Sequence, residues 1–123
     1  MPYKPEGYND VSAYLLVADA EATLAFLPAA FAAAPLRITR RDDGTIRHAE
    51  VSIGDTVLMM GQTSHGTPSN VHVYLPDVDA AMARAIAAGA SEVQPPTDRD
   101  SGNRLGGVTA PDGTTWWLST EIG

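Results

Sequence analysis

The sequence predicts an α+β fold in two tandem modules, each made of a strand, a helix and then short strands. Three observations carry that expectation. Several short runs alternate apolar and polar residues, the period of half-buried strands. Two longer stretches place apolar residues at helical spacing behind an aspartate suited to N-capping. The second half then repeats the order of the first at an offset of 58 residues, which carries Asp19 onto Asp77, Ala22 onto Ala80 and Ala30 onto Ala88. In an alanine-rich chain the repeated strand–Asp–helix layout weighs more than the identities.

Residues 11–17 read as a strand, with Ser12, Tyr14 and Leu16 on one face and Ala13, Leu15 and Val17 on the other. Asp19 caps a helix over about residues 20–33, with Glu21 in the first turn, where the helix dipole favours an anion. Leu24, Leu27 and Phe31 form its core stripe, and Pro28 should kink it. A strand over residues 36–41 leads into the hairpin signal Asp42-Asp43-Gly44. Residues 45–53 form the next strand; from Ala49 its alternation is strict, so His48, Glu50 and Ser52 share a face. Gly54-Asp55 turns the chain into a short strand at 56–60, and residues 62–69 are loop.

The pattern then restarts. Residues 70–75 form a strand with Asn70, His72 and Tyr74 on one side. Asp77 or Asp79 caps a helix whose apolar face is Val78, Met82 and Ala85, and Gly89 stops it. Residues 93–103 read as a polar, proline-bearing loop. Short strands near 107–109 and 114–119 flank the turn Pro111-Asp112-Gly113.

A length of 123 residues suits a single domain, 1–123, with modules at about 8–62 and 69–120. With 44% hydrophobic and 19% charged residues, the chain can bury a core. The absence of cysteine excludes disulfides, thiolate metal sites and cysteine nucleophiles, and fits a reducing cytoplasmic location. Residues 1–10 lack the apolar segment of a signal peptide, and the apolar run 25–36 is too short to span a bilayer, so no membrane association is expected. A net charge of −7 without a Lys/Arg stripe argues against nucleic acid, and weakly favours a cationic ligand.

The local text adds Val17-Ala18-Asp19, His48-Ala49-Glu50, Ile53-Gly54-Asp55, Asp77-Val78-Asp79-Ala80, Ala88-Gly89-Ala90, Gly102-Asn103-Arg104 and Pro111-Asp112-Gly113. In this order, from about Tyr8 to Thr120, the chain resembles the vicinal oxygen chelate superfamily (glyoxalase, bleomycin-resistance and extradiol dioxygenase-like proteins), in its small bacterial glyoxalase-like subgroup. That resemblance implies two tandem βαβββ modules forming a curved mixed sheet, helices on the convex face, a small-molecule ligand on the concave face, and a homodimer. It departs from the subgroup's pattern at Phe26-Leu27, Ala32 and Ser101.

In the metal-dependent members of that superfamily, four ligands come from the first and last strands of the two modules. Carried onto this chain, the positions are Ser12, Met59, Asn70 and Trp117, both pairs at the 58-residue offset. None of these is a normal ligand for a divalent cation, which takes imidazole, carboxylate or thiolate. The expectation is therefore no cofactor, the alternative being one divalent metal such as Zn, Ni, Mn or Fe at a relocated site.

With the vacant positions on the concave face, strand parity adds Tyr14, His48, Glu50, His72, Tyr74 and Trp117 as ligand-binding candidates. The competing reading is a solvated sheet face. His48 and Glu50 are the catalytic candidates, as a base with its orienting carboxylate or, with His72, as ligands of a relocated metal; a surface polar pair is the bland alternative. Arg104 suits either an anionic ligand group or a loop-pinning ion pair. His65 reads as solvated, and Trp116 and Trp117 must face opposite sides of their strand.

Three functions follow. The first is a small-molecule binding or sequestering protein of the bleomycin-resistance type lacking the usual metal. The second is a metal-dependent glyoxalase-like lyase or isomerase acting on vicinal oxygens, and the third a structural or regulatory domain without ligand.

Overall fold

In the computed structural model, which describes residues 3–123, each half of the chain folds into a mixed four-stranded sheet with a helix. Met1 and Pro2, assigned by the sequence to the same domain, lie outside the described residues. The first module comprises β1 (Tyr14–Val17), α1 (Ala20–Phe31), β2 (Ala34–Arg40), β3 (Ile46–Ile53) and β4 (Thr56–Gln62), in sheet order β1-β4-β3-β2. The second comprises β5 (Asn70–Tyr74), α2 (Val78–Ala87), β6 (Ser91–Asp98), β7 (Asn103–Thr109) and β8 (Thr115–Glu121), in the order β5-β8-β7-β6. In each sheet the first strand runs parallel to the last and the other pairs are antiparallel. Tyr14 lies opposite Met59 and His72 opposite Trp117, so the duplication extends to strand register.

Both helices start as their caps dictate. The carboxylates of Asp19 and Asp77 accept from the N–H of Ala22 and Ala80, each at 3.1 Å. Asp77, not Asp79, is the second cap. Helix α1 ends at Phe31, short of the predicted residue 33, because Ala32 takes the left-handed conformation at φ 56°. Pro28 falls in the final turn, so the backbone bond forfeited by its missing N–H lies close to the end of the helix.

The apolar stripes meet as predicted, with Leu27 and Phe31 buried, Leu24 partly so, and Val78, Met82 and Ala85 buried. The modules join through their helices and through Phe31, whose ring lies 4.8 Å from that of Trp116. The buried Thr23 hydroxyl on α1 adds a hydrogen bond to Asp112 Oδ2 at 2.7 Å.

Two expectations need correction. Strand β1 begins at Tyr14, so Ser12 precedes the strand. Residues 91–98, most of which read as loop, form the edge strand β6. Pro95 and Pro96 are tolerated because they fall where the pairing of this edge strand with β7 slips, between Gln94 and Thr97, so neither is called on for a ladder bond.

Candidate functional site

On the first sheet, three predicted residues meet through side chains. His48 and Glu50 share a face of β3, and Tyr14 reaches them from β1 across β4. The crossing needs Gly61: a Cβ there would sit 3.1 Å from the Tyr14 hydroxyl and 2.9 Å from the Arg47 carbonyl. The Tyr14 hydroxyl lies 3.0 Å from His48 Nδ1, and His48 Nε2 lies 2.7 Å from Glu50 Oε2. The second oxygen of Glu50 accepts from the hydroxyl of Tyr8. Tyr8 arrives on the N-terminal segment, which is tied to β4 where Asn9 Oδ1 accepts from the Val57 N–H at 3.0 Å.

Glu50 is 4% exposed, the only buried carboxylate among the described residues. Burial opposes its ionisation, but hydrogen bonds from His48 and Tyr8, with the nearby charge of Arg37, outweigh burial and hold the carboxyl below the usual range. The bond to Glu50 in turn raises the Tyr8 phenol. An ionised carboxylate only accepts, so Nε2 of His48 carries the proton and its Nδ1 accepts from Tyr14.

The second sheet gathers the aromatic candidates. His72 and Tyr74 lie edge to face with centroids 4.6 Å apart, and His72 Nε2 is 2.8 Å from Ser119 Oγ. Trp117, in register with His72, lies flat over Gly107, where a Cβ would be 2.7 Å from its ring. Its Nε1 donates to Asn70 Oδ1 at 3.1 Å. Trp116 faces the other way and is buried, as the parity requires.

Arg104 is engaged by carboxylates: its Nε and Nη2 donate to Asp79 at 2.8 and 3.1 Å, and its Nη1 donates to Asp98 at 2.8 Å. His65 is exposed in its loop. No hydrogen bond or ring contact among the described residues joins the Tyr14–His48–Glu50 group to the His72–Tyr74–Trp117 group.

A cleft of about 480 Å³ opens between the modules, lined by Phe31, Ile53, Leu58, Val71, Val73 and Trp116, among others. Of the predicted site residues, only His72 and Tyr74 reach it. Trp116 Nε1, which is buried, has no hydrogen-bond partner among the described residues.

The sequence reading missed Tyr8, Gly61, Gly107, Arg37 and Ser119. The two glycines carried a usable signal, since a glycine inside a strand marks close approach by another group. Tyr8 carried none, because its segment has no periodicity.

The model of the Glyoxalase/Bleomycin resistance protein/Dioxygenase superfamily matches residues 9–118. The chain belongs to this superfamily. An uncharacterised protein of Mycobacterium bovis is 35% identical, over 91% of this chain and 83% of the relative. Among solved structures, TioX from Micromonospora sp. ML1 is 28% identical with a TM-score of 0.80, covering 93% of this chain and 99% of TioX. The fosfomycin resistance protein FosX from Mesorhizobium loti shares the fold, at 18% identity and a TM-score of 0.69, over 97% of this chain and 95% of FosX.

Metal-dependent members of this superfamily set a test for the donor positions. Asn70 and Trp117 are hydrogen-bonded to each other, Met59 brings a thioether, and Ser12 lies before β1. That donor set does not fit a divalent cation. Among the described residues, no group of three or more His, Cys, Asp or Glu is placed to hold one.

Proposed function

We propose that this chain is a small-molecule binding or sequestering protein of the bleomycin-resistance type, which holds a planar aromatic ligand without the usual metal. The fixed indole of Trp117 carries the reading. Backed by Gly107 and tethered to Asn70, the ring is already ordered and only partly buried, so stacking against it costs little side-chain entropy. His72 supplies a second ring in register, with Tyr74 beside it. The net charge of −7 favours a cationic member of the ligand class. A homodimer belongs to this reading: Leu36 and Ile38, on edge strand β2, are 48% and 43% exposed and offer apolar surface to a second copy.

The test is a titration with acridine-type aromatic cations followed by tryptophan fluorescence. Because Trp116 is in the core, Trp117 is the reporter. Saturable quenching is expected, and Trp117→Ala, which lacks the reporter and is therefore titrated by the acridine's own fluorescence, should weaken binding by about 1–3 kcal/mol, the range for stacking on an aromatic side chain. Equal affinity of the variant removes Trp117 from the site. Elemental analysis of untagged protein, before and after incubation with Zn²⁺, Ni²⁺ or Mn²⁺, tests the metal-free part; a stoichiometric metal overturns it. Sedimentation velocity tests the dimer.

A further inference from the structure

We infer that Tyr14, His48 and Glu50 form a proton relay in which the exposed phenol of Tyr14 is the reactive end, giving the chain an acid–base activity separate from the aromatic platform on the other sheet. The three groups are graded from inside to outside: Glu50 is 4% exposed, the His48 side chain 26% and Tyr14 47%. The buried carboxylate fixes the imidazole tautomer through Nε2 and stabilises the charge that the ring would gain. Nδ1 of His48 is thereby left as an acceptor aimed at the exposed Tyr14 hydroxyl, 3.0 Å away. This is the order of an activated hydroxyl, its base and the orienting acid.

Two features separate the arrangement from a chance surface contact. Gly61 leaves the room that lets the Tyr14 ring lie across β4, since a side chain there would collide with the phenol. Tyr8 takes up the remaining oxygen of Glu50, so the carboxylate is held from both sides and cannot swing away from His48.

In the forward step, the Tyr14 oxygen takes a proton from a bound small molecule while its own proton passes to Nδ1 of His48. The substrate becomes an anion and His48 an imidazolium beside the Glu50 carboxylate; the reverse transfer restores the relay. Arg37, the in-register neighbour of Glu50 on β2, is the cation on this face for an anionic product. The substrate class is therefore a neutral small molecule with an acidic O–H, N–H or C–H that becomes anionic on losing its proton.

An arylsulfonyl fluoride probes the relay without knowledge of the substrate. The Tyr14 oxygen attacks sulfur, an S–O bond forms, fluoride leaves, and the phenolic proton goes to His48. Tyr74, at 71% exposure, is an internal comparator that exposure alone would favour. Peptide mass spectrometry at neutral pH should find Tyr14 labelled about a hundredfold faster than Tyr74, the low side of what a positioned base supplies. His48→Gln should abolish that preference in protein whose circular dichroism is unchanged.

Glu50→Gln should also abolish it, although glutamine still accepts from His48 and Tyr8; a structural role for Glu50 would leave the preference intact. If Glu50→Gln does not fold, His48→Gln decides. Faster labelling of Tyr74 in the native chain, or a Tyr14 preference that survives His48→Gln, overturns the relay.

Discussion

Substituting Gly107 by alanine isolates the geometry on which ligand stacking depends. The new Cβ would sit 2.7 Å from Cζ3 and 2.8 Å from Cε3 of Trp117, whereas carbon atoms in contact rest about 3.5–4.0 Å apart. Gly107 and Trp117 are in-register partners on β7 and β8, so the backbones cannot separate without breaking ladder hydrogen bonds. The ring must instead lift by roughly 1 Å, the shortfall against normal contact. That movement costs the hydrogen bond to Asn70 as well.

Overpacking of this kind costs about 1–3 kcal/mol of stability. Gly106→Ala is the control. It lies on the same strand with its side chain directed to the opposite face, where Cβ would meet Met82 Sδ at 3.0 Å. Urea unfolding measures the stability cost of each variant, and acrylamide quenching of tryptophan emission measures exposure of the indole without any ligand. Gly107→Ala should raise the quenching constant and weaken acridine binding, while Gly106→Ala should lower stability and leave both unchanged. Native-like quenching in Gly107→Ala, or an equal binding loss in Gly106→Ala, refutes the glycine-backed platform.

Ala32 is the only non-glycine residue with positive φ among the described residues, so Ala32→Gly should relieve about 1–2 kcal/mol of steric cost, offset by about 0.4–1 kcal/mol of unfolded-state entropy. The expected net gain is about 0.5–1 kcal/mol, or roughly 2–4 °C in Tm for a chain of this length; a lower Tm contradicts the left-handed cap. Glu50, depressed in the folded state, contributes stability that is present above its unfolded value of 4.5 and lost as pH falls through the lower folded value. Glu50→Gln should therefore flatten part of the acid limb of a stability–pH curve, and an unchanged slope below about pH 4.5 contradicts the assignment. Thr23→Val leaves Asp112 without its inter-module donor and should cost about 1–2 kcal/mol in urea unfolding. Wild-type stability would mean that water replaces the bond.

Much of the fold was legible because its determinants are local. Asp19 and Asp77 announce their helices by residue type, and the alternation around His48-Ala49-Glu50 defines a strand face from residue order alone. The 58-residue offset, which carries Met59 onto Trp117, also relates the registers Tyr14–Met59 and His72–Trp117 that the structure shows. Strand β6 was hidden because prolines suppress the strand signal, and only tertiary position makes them acceptable. The site was half legible for a similar reason. Parity put Tyr14, His48 and Glu50 on one face, but it says nothing about which tips touch. Tyr8 is reached across a sequence separation of 42 residues, and no periodic pattern reports a contact of that range. Arg104 shows another limit: residue order leaves an anionic ligand group and a loop-pinning ion pair equally open, and the structure places Asp79 and Asp98 on the guanidinium.

The prolines of β6 also bear on how copies of this chain can meet backbone to backbone. Each sheet has two outer edges, and three of the four are blunted. Pro95 and Pro96 leave gaps in the donor row of β6, while β2 carries Arg37 and Arg40. The outer side of β1 is occupied by its own loop, where the N–H of Thr67 bonds to the carbonyl of Leu16 at 2.8 Å. Strand β5 has neither charge nor proline, and among the described residues it pairs only with β8. Any ribbon-like growth from one molecule to the next is thereby channelled to a five-residue edge, short enough to make such joins weak.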